Sequence, residues 1–225
     1  MTNNQHADIE WRDGTVPVST RFEDPYFSIH DGLAETQHVF LMGNDLPNRF
    51  RPGFHIAELG FGTGLNMLVA LQAWRQCGAS GPLRYTGFEA FPMRTEDMAK
   101  ALAAFPQVSD LARLLLDAWG TDTPFIKTAD LQAQIIIGDA RQTLPNWQGK
   151  ADAWFLDGFA PARNPQLWGK DLMAEVAHHT APRGTFATYT AAGHVRRSLA
   201  DAGFTVERQT GFGRKRHMSI GRLPA

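Results

Sequence analysis

Residues 58–66 read Glu58-Leu59-Gly60-Phe61-Gly62-Thr63-Gly64-Leu65-Asn66, three glycines at alternate positions between an apolar run and a stretch of helically spaced apolar residues. The run before the loop, Phe54–Leu59, reads as a buried strand. The stretch from about Gly64 to Gln76 reads as a helix with Leu65, Leu68, Val69 and Leu71 facing a sheet and Gly78 as its stop. Glycines at such a strand-to-helix turn let the backbone bend tightly and approach a ligand with no Cβ in the way. Nicotinamide and flavin enzymes use related loops and some glycine-rich turns bind nothing, so the loop alone marks a cofactor site without naming the cofactor.

Outward from the loop, strand-like and helical stretches alternate. A second strand, Leu83–Phe88, is followed after Pro92 by a helix with Glu96 and Asp97 in its first turn, where acids suit the helix dipole, and another helix covers Val108–Trp119. Ala133–Ile137 and Ala153–Leu156 read as strands ending in Gly138-Asp139 and Asp157-Gly158. A helix near Lys170–His179, a strand Thr185–Tyr189 and a helix from Gly193 to Ala202, capped by Gly203, complete the alternation. The chain closes with Phe204–Arg208 and Lys215–Ile220 on either side of Gly211-Phe212-Gly213, close enough to pair as an antiparallel hairpin. The expected fold is α/β with a mainly parallel sheet, Rossmann-like, over residues 53–225. Residues 1–52 read as a small N-terminal accessory cap, with strand-like alternation over Trp11–Phe22 around Asp13-Gly14 and a helix over Gly32–Phe40.

The bulk properties narrow the function classes. At 225 residues one domain is the default. The longest apolar runs fall far short of the roughly 20 residues that cross a bilayer. Met1–Glu10 is polar and lacks the cationic and apolar regions of a secretory signal, so a cytoplasmic protein is expected. Cys77 is the single cysteine, which excludes an internal disulfide and a thiolate zinc cluster; it is expected near a helix end as a small hydrophobe. The histidines, among them His38, His55, His178, His179, His194 and His217, are scattered, with surface or capping roles expected and no metal. A net charge of −1 gives no global attraction to nucleic acid, yet from Arg183 onward basic residues outnumber acids by six.

Strand-end acids sharpen the cofactor reading, because the carboxyl ends of parallel strands form the ligand crevice of an open α/β sheet. Glu89, after the second strand, suits ribose hydroxyls; Asp139, before Ala140, suits the exocyclic amine of adenine; Glu58 lies where it would reach a cationic amino-acid end. With Asp157 they make four converging acids, which points to S-adenosylmethionine and hence to a methyltransferase. The terminal hairpin separates that fold from most other doubly wound ones. Each acid alone is as readily a solvated loop residue or a helix cap. Asp157-Gly158-Phe159-Ala160-Pro161 is the candidate catalytic loop, with Phe159 as a wall against a flat base or, equally, as packing. Trp168 is expected to pack.

The run Trp154-Phe155-Leu156-Asp157-Gly158-Phe159-Ala160-Pro161-Ala162-Arg163-Asn164-Pro165, the loop Gly60–Asn66 and the ending Gly211-Phe212-Gly213-Arg214-Lys215-Arg216 resemble the methyltransferase domain of the MnmC family. Pro17-Val18-Ser19 and Asp24-Pro25-Tyr26-Phe27-Ser28 share the resemblance, which spans nearly the whole chain. It implies methyl transfer from S-adenosylmethionine to the amine of 5-aminomethyl-2-thiouridine at the tRNA wobble position. Asp157 would be the catalytic acceptor of the amine's hydrogen bond, and Glu58, Gly60, Phe61, Gly62, Thr63, Gly64, Asn66, Glu89, Asp139, Ala140 and Asp157 would surround the cofactor. Tyr26 and Phe27 would cover cofactor or base. Arg163, Arg196, Arg197, Arg214, Lys215 and Arg216 would meet phosphates of the anticodon arm. In many bacteria the domain is fused to an FAD-dependent oxidoreductase that makes the acceptor amine; that domain is expected to be absent from this chain, whether stand-alone or excised. The rival readings are an NAD-dependent oxidoreductase, which leaves Asp139, Asp157 and the hairpin unexplained, and a non-catalytic tRNA-binding module on the same fold.

Overall fold

The computed structural model describes residues 6–28, 31–121 and 124–225; the first five residues of the polar Met1–Glu10 stretch lie outside them. Strands β1 (Ile9–Arg12) and β2 (Val16–Ser19) turn at Asp13-Gly14 and join β3 (Asp24–Pro25) in a three-stranded antiparallel sheet. Helix α1 (Gly32–Thr36) is capped by Asp31, whose carboxylate accepts the Ala34 N–H, and its coil continues as a π turn over Gln37–Leu41.

The chain then alternates: β4 (His55–Leu59), α2 (Leu65–Gln76), β5 (Leu83–Glu89), α3 (Thr95–Leu102), α4 (Ser109–Ala118), a short β6 (Phe125–Lys127) and β7 (Leu131–Ile137). It continues through α5 (Ala140–Thr143), β8 (Ala151–Leu156), α6 (Lys170–His178), β9 (Thr180–Thr188), α7 (Gly193–Asp201), β10 (Thr205–Thr210) and β11 (His217–Arg222). The eight strands of the larger sheet lie in the order β10-β11-β9-β8-β4-β5-β7-β6. The inner five are parallel, and β6, β11 and β10 pair antiparallel. The last strand, not β10, pairs with β9. From β4 the chain winds outward through β5 to β7, then returns to β8 on the other side of β4. The sheet therefore has its switch point between β4 and β8, and the crevice outside their carboxyl ends is where such a sheet binds ligands.

Alternation along the strands sends side chains to two apolar layers. Ile56 and Phe155 join Leu68, Met98 and Leu111 on one face; Ala57, Leu59 and Trp154 join Leu172, Val195 and Leu199 on the other. Helix α2 is buried on more than its sheet side: Leu65 to Leu71 are all buried, because α1 and α4 also pack on it. Val39 and Phe40, from the π turn, lie in that same layer.

Some elements differ from the sequence expectation. Strand β6 has three residues with Phe125 exposed, too short for a readable alternation. Strand β9 begins at Thr180, ahead of Thr185, and carries an irregularity at which the pairing jumps from Ala151↔Thr180 to Ala153↔Thr185. Pro182-Arg183-Gly184, with Arg183 at φ 61°, lies in that irregularity. Cys77 closes α2 as expected but is exposed, its thiol directed at the Trp74 carbonyl. His55 and His179 are not at the surface; both are buried beside Trp147, and burial lowers the His55 pKa to about 4.

Candidate active site

A cavity of about 1170 Å³ opens over the carboxyl ends of the parallel strands. Small-molecule sites run to roughly 300–1,000 Å³, so this one has room for a nucleoside cofactor with a second planar group beside it. Gly60, Gly62 and Gly64 all adopt left-handed backbone, with φ of 78°, 55° and 77°. At Gly60 the requirement is also steric: a Cβ there would stand 2.8 Å from the Gly158 Cα, so only glycine lets the cofactor loop and the Asp157 loop touch. Phe61 turns its ring into the core against Trp119, 5.6 Å between centroids, and leaves its backbone to the loop.

Glu89 ends β5 inside the cavity. Its two oxygens accept the N–H groups of Gly62 and Phe91, each at 2.8 Å. Burial pushes its pKa up and these backbone donors pull against that. An ionised carboxylate offers about four acceptor positions, so two remain for hydroxyls of a ligand. Asp139, at the end of β7, caps α5 and lines the cavity with Ala140, but its oxygens are bridged by the Arg141 guanidinium, which holds its pKa low.

Glu58 does not line the cavity. It lies fully buried behind the loop, accepting from Asn66 Nδ2 at 2.6 Å and from the Tyr85 hydroxyl at 2.7 Å. Burial, reinforced by the Asp157 charge, drives its pKa well above the usual carboxylate range. Asn66 does reach the cavity wall, with its amide nitrogen donating to Asp157 Oδ2 at 2.8 Å as well as to Glu58, while its oxygen accepts the Thr36 hydroxyl at 2.7 Å. Asp157 Oδ1 accepts the Gly158 N–H at 2.8 Å, and burial raises the Asp157 pKa to about 6.

Across from Asp157 the structure adds residues that sequence reading missed. Tyr189 follows β9 and donates its hydroxyl to the Gly158 carbonyl at 2.8 Å. Glu35, on α1, accepts from Lys215 at 2.9 Å, and the Lys215 ammonium stands 3.9 Å from the Tyr189 ring centroid. Lys215 thus precedes β11 in a loop that folds over the cavity, and its charge lowers the Asp157 pKa while Glu35 raises it. Tyr189 was findable: it ends a parallel strand, as Glu89, Asp139 and Asp157 do. Nothing in the local sequence marked Glu35 or Thr36.

Aromatic side chains close the same cavity. Phe159 stacks on Phe22 at 4.6 Å and meets Tyr26 edge-on at 5.0 Å; Phe27 packs edge-on against Phe105. Trp168 is buried and donates to the Phe159 carbonyl at 2.9 Å, bracing the loop. Arg214 and Lys215 reach the rim, whereas Arg163, Arg196, Arg197 and Arg216 do not line the cavity. Arg163 is paired with Glu23, and Arg196 and Arg197 sit on α7. Among the described residues no group of His, Cys, Asp or Glu stands where it would hold a metal, and no helix is long and apolar enough to cross a membrane.

Residues 106–224 match the family described as S-adenosyl-L-methionine-dependent methyltransferase. The chain belongs to that family. The methyltransferase is 44% identical to the tRNA 5-methylaminomethyl-2-thiouridine biosynthesis bifunctional protein MnmC of Pseudomonas savastanoi pv. phaseolicola, over 96% of this chain and 34% of that protein. It is 42% identical to the MnmC protein of Pseudomonas aeruginosa UCBPP-PA14, over 98% of this chain and 36% of that protein. It therefore spans about a third of the length of these curated relatives. In fold it resembles MNMC2 from Aquifex aeolicus, with a TM-score of 0.78 at 24% identity over 100% of this chain and 74% of that one. Spermidine synthase from Thermotoga maritima shares the fold more distantly, with a TM-score of 0.53 at 12% identity over 96% and 71% of the two chains. Family membership removes the nicotinamide reading of the glycine loop. The unspent acceptor positions of Glu89 and the Gly60 and Gly62 backbone lining the same cavity fit S-adenosylmethionine.

Proposed function

We propose that this methyltransferase transfers a methyl group to the amine of 5-aminomethyl-2-thiouridine at the tRNA wobble position, giving 5-methylaminomethyl-2-thiouridine. The observation that carries this reading is the meeting of the glycine loop and the Asp157 loop in one cavity, Gly60 against Gly158, in a chain 44% identical to an MnmC protein. The proposed cofactor residues are Gly60, Gly62, Thr63, Gly64, Glu89, Asp139 and Ala140, with the accessory segment of residues 1–52 supplying Tyr26 and Phe27 as part of the cover.

S-adenosylmethionine, when bound, supplies an electrophilic methyl group on a sulfonium. The acceptor nitrogen must present a free lone pair. For an amine with a lysine-like pKa of about 10.4, losing the proton at pH 7 costs roughly 4.6 kcal/mol. In this reading Asp157 accepts a hydrogen bond from the amine, aims its lone pair and stabilises the positive charge that moves onto nitrogen. A carboxylate also favours the ammonium form; the Lys215 cation, facing the same space, opposes that. Phe159 and Tyr26 offer faces and edges to a pyrimidine. Arg214 at the rim and Arg216 beside it are the proposed first phosphate contacts, with Arg196 and Arg197 on α7 as further ones and Arg163, already paired with Glu23, a weaker one.

The relatives are named bifunctional proteins, and the amine-forming step is proposed to belong to an FAD-dependent oxidoreductase outside these residues, acting with this enzyme in the cytoplasm. The test is transfer of label from methyl-labelled S-adenosylmethionine to tRNA carrying the aminomethyl wobble base, beside tRNA lacking that amine. Labelling confined to the first supports the substrate; equal labelling of both overturns it.

A further inference from the structure

Asn66 stands between two carboxyl groups with both of its N–H donors committed. One goes to Glu58 at 2.6 Å, the other to Asp157 at 2.8 Å. The Thr36 hydroxyl, donating to Asn66 Oδ1 at 2.7 Å, fixes which end of the amide faces the acids: a flipped amide would turn its oxygen on two acceptors. No donor is left for a cofactor. We propose that Asn66 is the positioning residue for Asp157, and that the pair it bridges carries a single charge, with Glu58 the neutral acid and Asp157 the ionised acceptor facing the cavity.

Two carboxyl groups held on one nitrogen in a water-poor site do not both keep a full charge. The surroundings decide which one yields. Glu58 is fully buried, and its hydrogen-bond partners are Asn66 and the Tyr85 hydroxyl, with neither a backbone donor nor a cation among them. Asp157 has Asn66, the Gly158 N–H and the open cavity. The groups facing it are Lys215 from the loop before β11, Glu35 from α1, Tyr189 after β9, Tyr85 from β5 and Glu58 from β4. Lys215 is the cation of that set and it favours charge on Asp157. The direction of both titrations agrees, since Glu58 is driven well up while Asp157 rises only to about 6. The consequence is that Thr36, in the accessory segment, and Glu58, behind the glycine loop, act on the acceptor through one amide.

This assignment rests on the reading of Asp157 as the group that meets the amine, but its test does not need the RNA. The full chain is labelled with 13C at the aspartate side-chain carboxyls, and the Asp157 signal, identified by its loss in Asp157→Asn, is titrated by NMR. Glu58→Gln keeps the shape, its oxygen accepting from Asn66 and its amide N–H turned to the Tyr85 oxygen, as the O–H of a neutral Glu58 is; with a neutral Glu58 it leaves the Asp157 titration within a few tenths of a unit. A drop of about one unit or more in that variant means Glu58 was charged and overturns the proposal. Asn66→Ala removes the donor, and the Asp157 titration rises by about one unit or more, together with the acid limb of the methyl-transfer rate, while S-adenosylhomocysteine affinity changes little. An unmoved titration in Asn66→Ala overturns the positioning role. If Asn66→Ala does not fold, the Glu58→Gln arm decides by itself. Failure of methyl transfer to the aminomethyl tRNA would sink the substrate reading and leave the NMR result standing.

Discussion

The Glu89 carboxylate accepts the backbone N–H of Gly62 at 2.8 Å, so the acid at the end of β5 also holds the turn of the cofactor loop. Removing it has two effects. Glu89→Ala leaves the Gly62 and Phe91 N–H groups without partners and deletes the acceptor proposed for the ribose. Each hydrogen bond to a charged group is worth about 1.5–3 kcal/mol, so S-adenosylhomocysteine affinity is expected to fall by at least about tenfold. Isothermal titration of the variant checks this, and an unchanged affinity would remove Glu89 from the cofactor site.

Gly60→Ala tests the contact between the two loops. The substitution places a methyl 2.8 Å from the Gly158 Cα at a residue with φ 78°, where L side chains are strained. Strain of this kind costs about 1–3 kcal/mol, and relief requires the Asp157 loop to move away. A lower midpoint of denaturant unfolding is expected together with loss of methyl transfer. Gly78→Ala, also at positive φ but with open space around it, is the control: it should lose stability without losing cofactor binding.

How far the sequence revealed these contacts varied with the range of the interaction. The parallel strands were legible because they are short apolar runs, most of them closed by Gly or an acid, and the strand-end rule then placed Glu89, Asp139 and Asp157 at one edge. The same rule put Glu58 in the cavity, but Glu58 lies within β4, and the pleat of the strand turns it into the layer beside Tyr85. Lys215 read as the start of a strand, yet it belongs to the loop that folds over the cavity. Thr36 and Glu35 were invisible because α1 meets Asn66 and Lys215 only through tertiary packing, 30 and 180 residues away along the chain. Arg141, two residues beyond Asp139, shows the limit from the other side. An adjacent cation was in plain sight, and whether it would fold back on the acid was not.

Asp157 should leave a mark on stability as well as on rate. Its folded pKa, about 6, lies above the ordinary aspartate value of about 3.9 because burial penalises the charge. The folded chain therefore holds a proton there that the unfolded chain has released between about pH 4 and pH 6. Folding is opposed by this group above pH 6 and is not opposed below pH 4. Two pKa units correspond to roughly 3 kcal/mol. Relative to the native chain, Asp157→Asn is thus expected to gain on the order of 3 kcal/mol between pH 4 and pH 7, whatever constant offset its altered hydrogen bonds introduce. Urea unfolding of both proteins at the two pH values measures it, and a pH-independent difference would mean Asp157 titrates normally.

The basic residues divide by position, and salt dependence separates them. Arg214 and Arg216 flank Lys215 on the exposed loop over the cavity, and among the described residues neither has an ion pair. Arg163 is already paired with Glu23, and Arg196 and Arg197 lie on α7 away from the cavity. On the proposed reading, a base entering the cavity brings its flanking phosphates to the rim, where Arg214 lies. Each phosphate contact contributes roughly 0.7–0.9 to the slope of log affinity against log salt. Arg214→Ala with Arg216→Ala is expected to flatten that slope for tRNA binding by about 1.4–1.8, while Arg163→Ala changes it by well under 1 because Glu23 already neutralises the charge. Filter binding or fluorescence anisotropy across a salt series gives the slopes. A native slope near zero would sink the phosphate role of the whole patch, and an undiminished slope in the double variant would move the contact surface to α7.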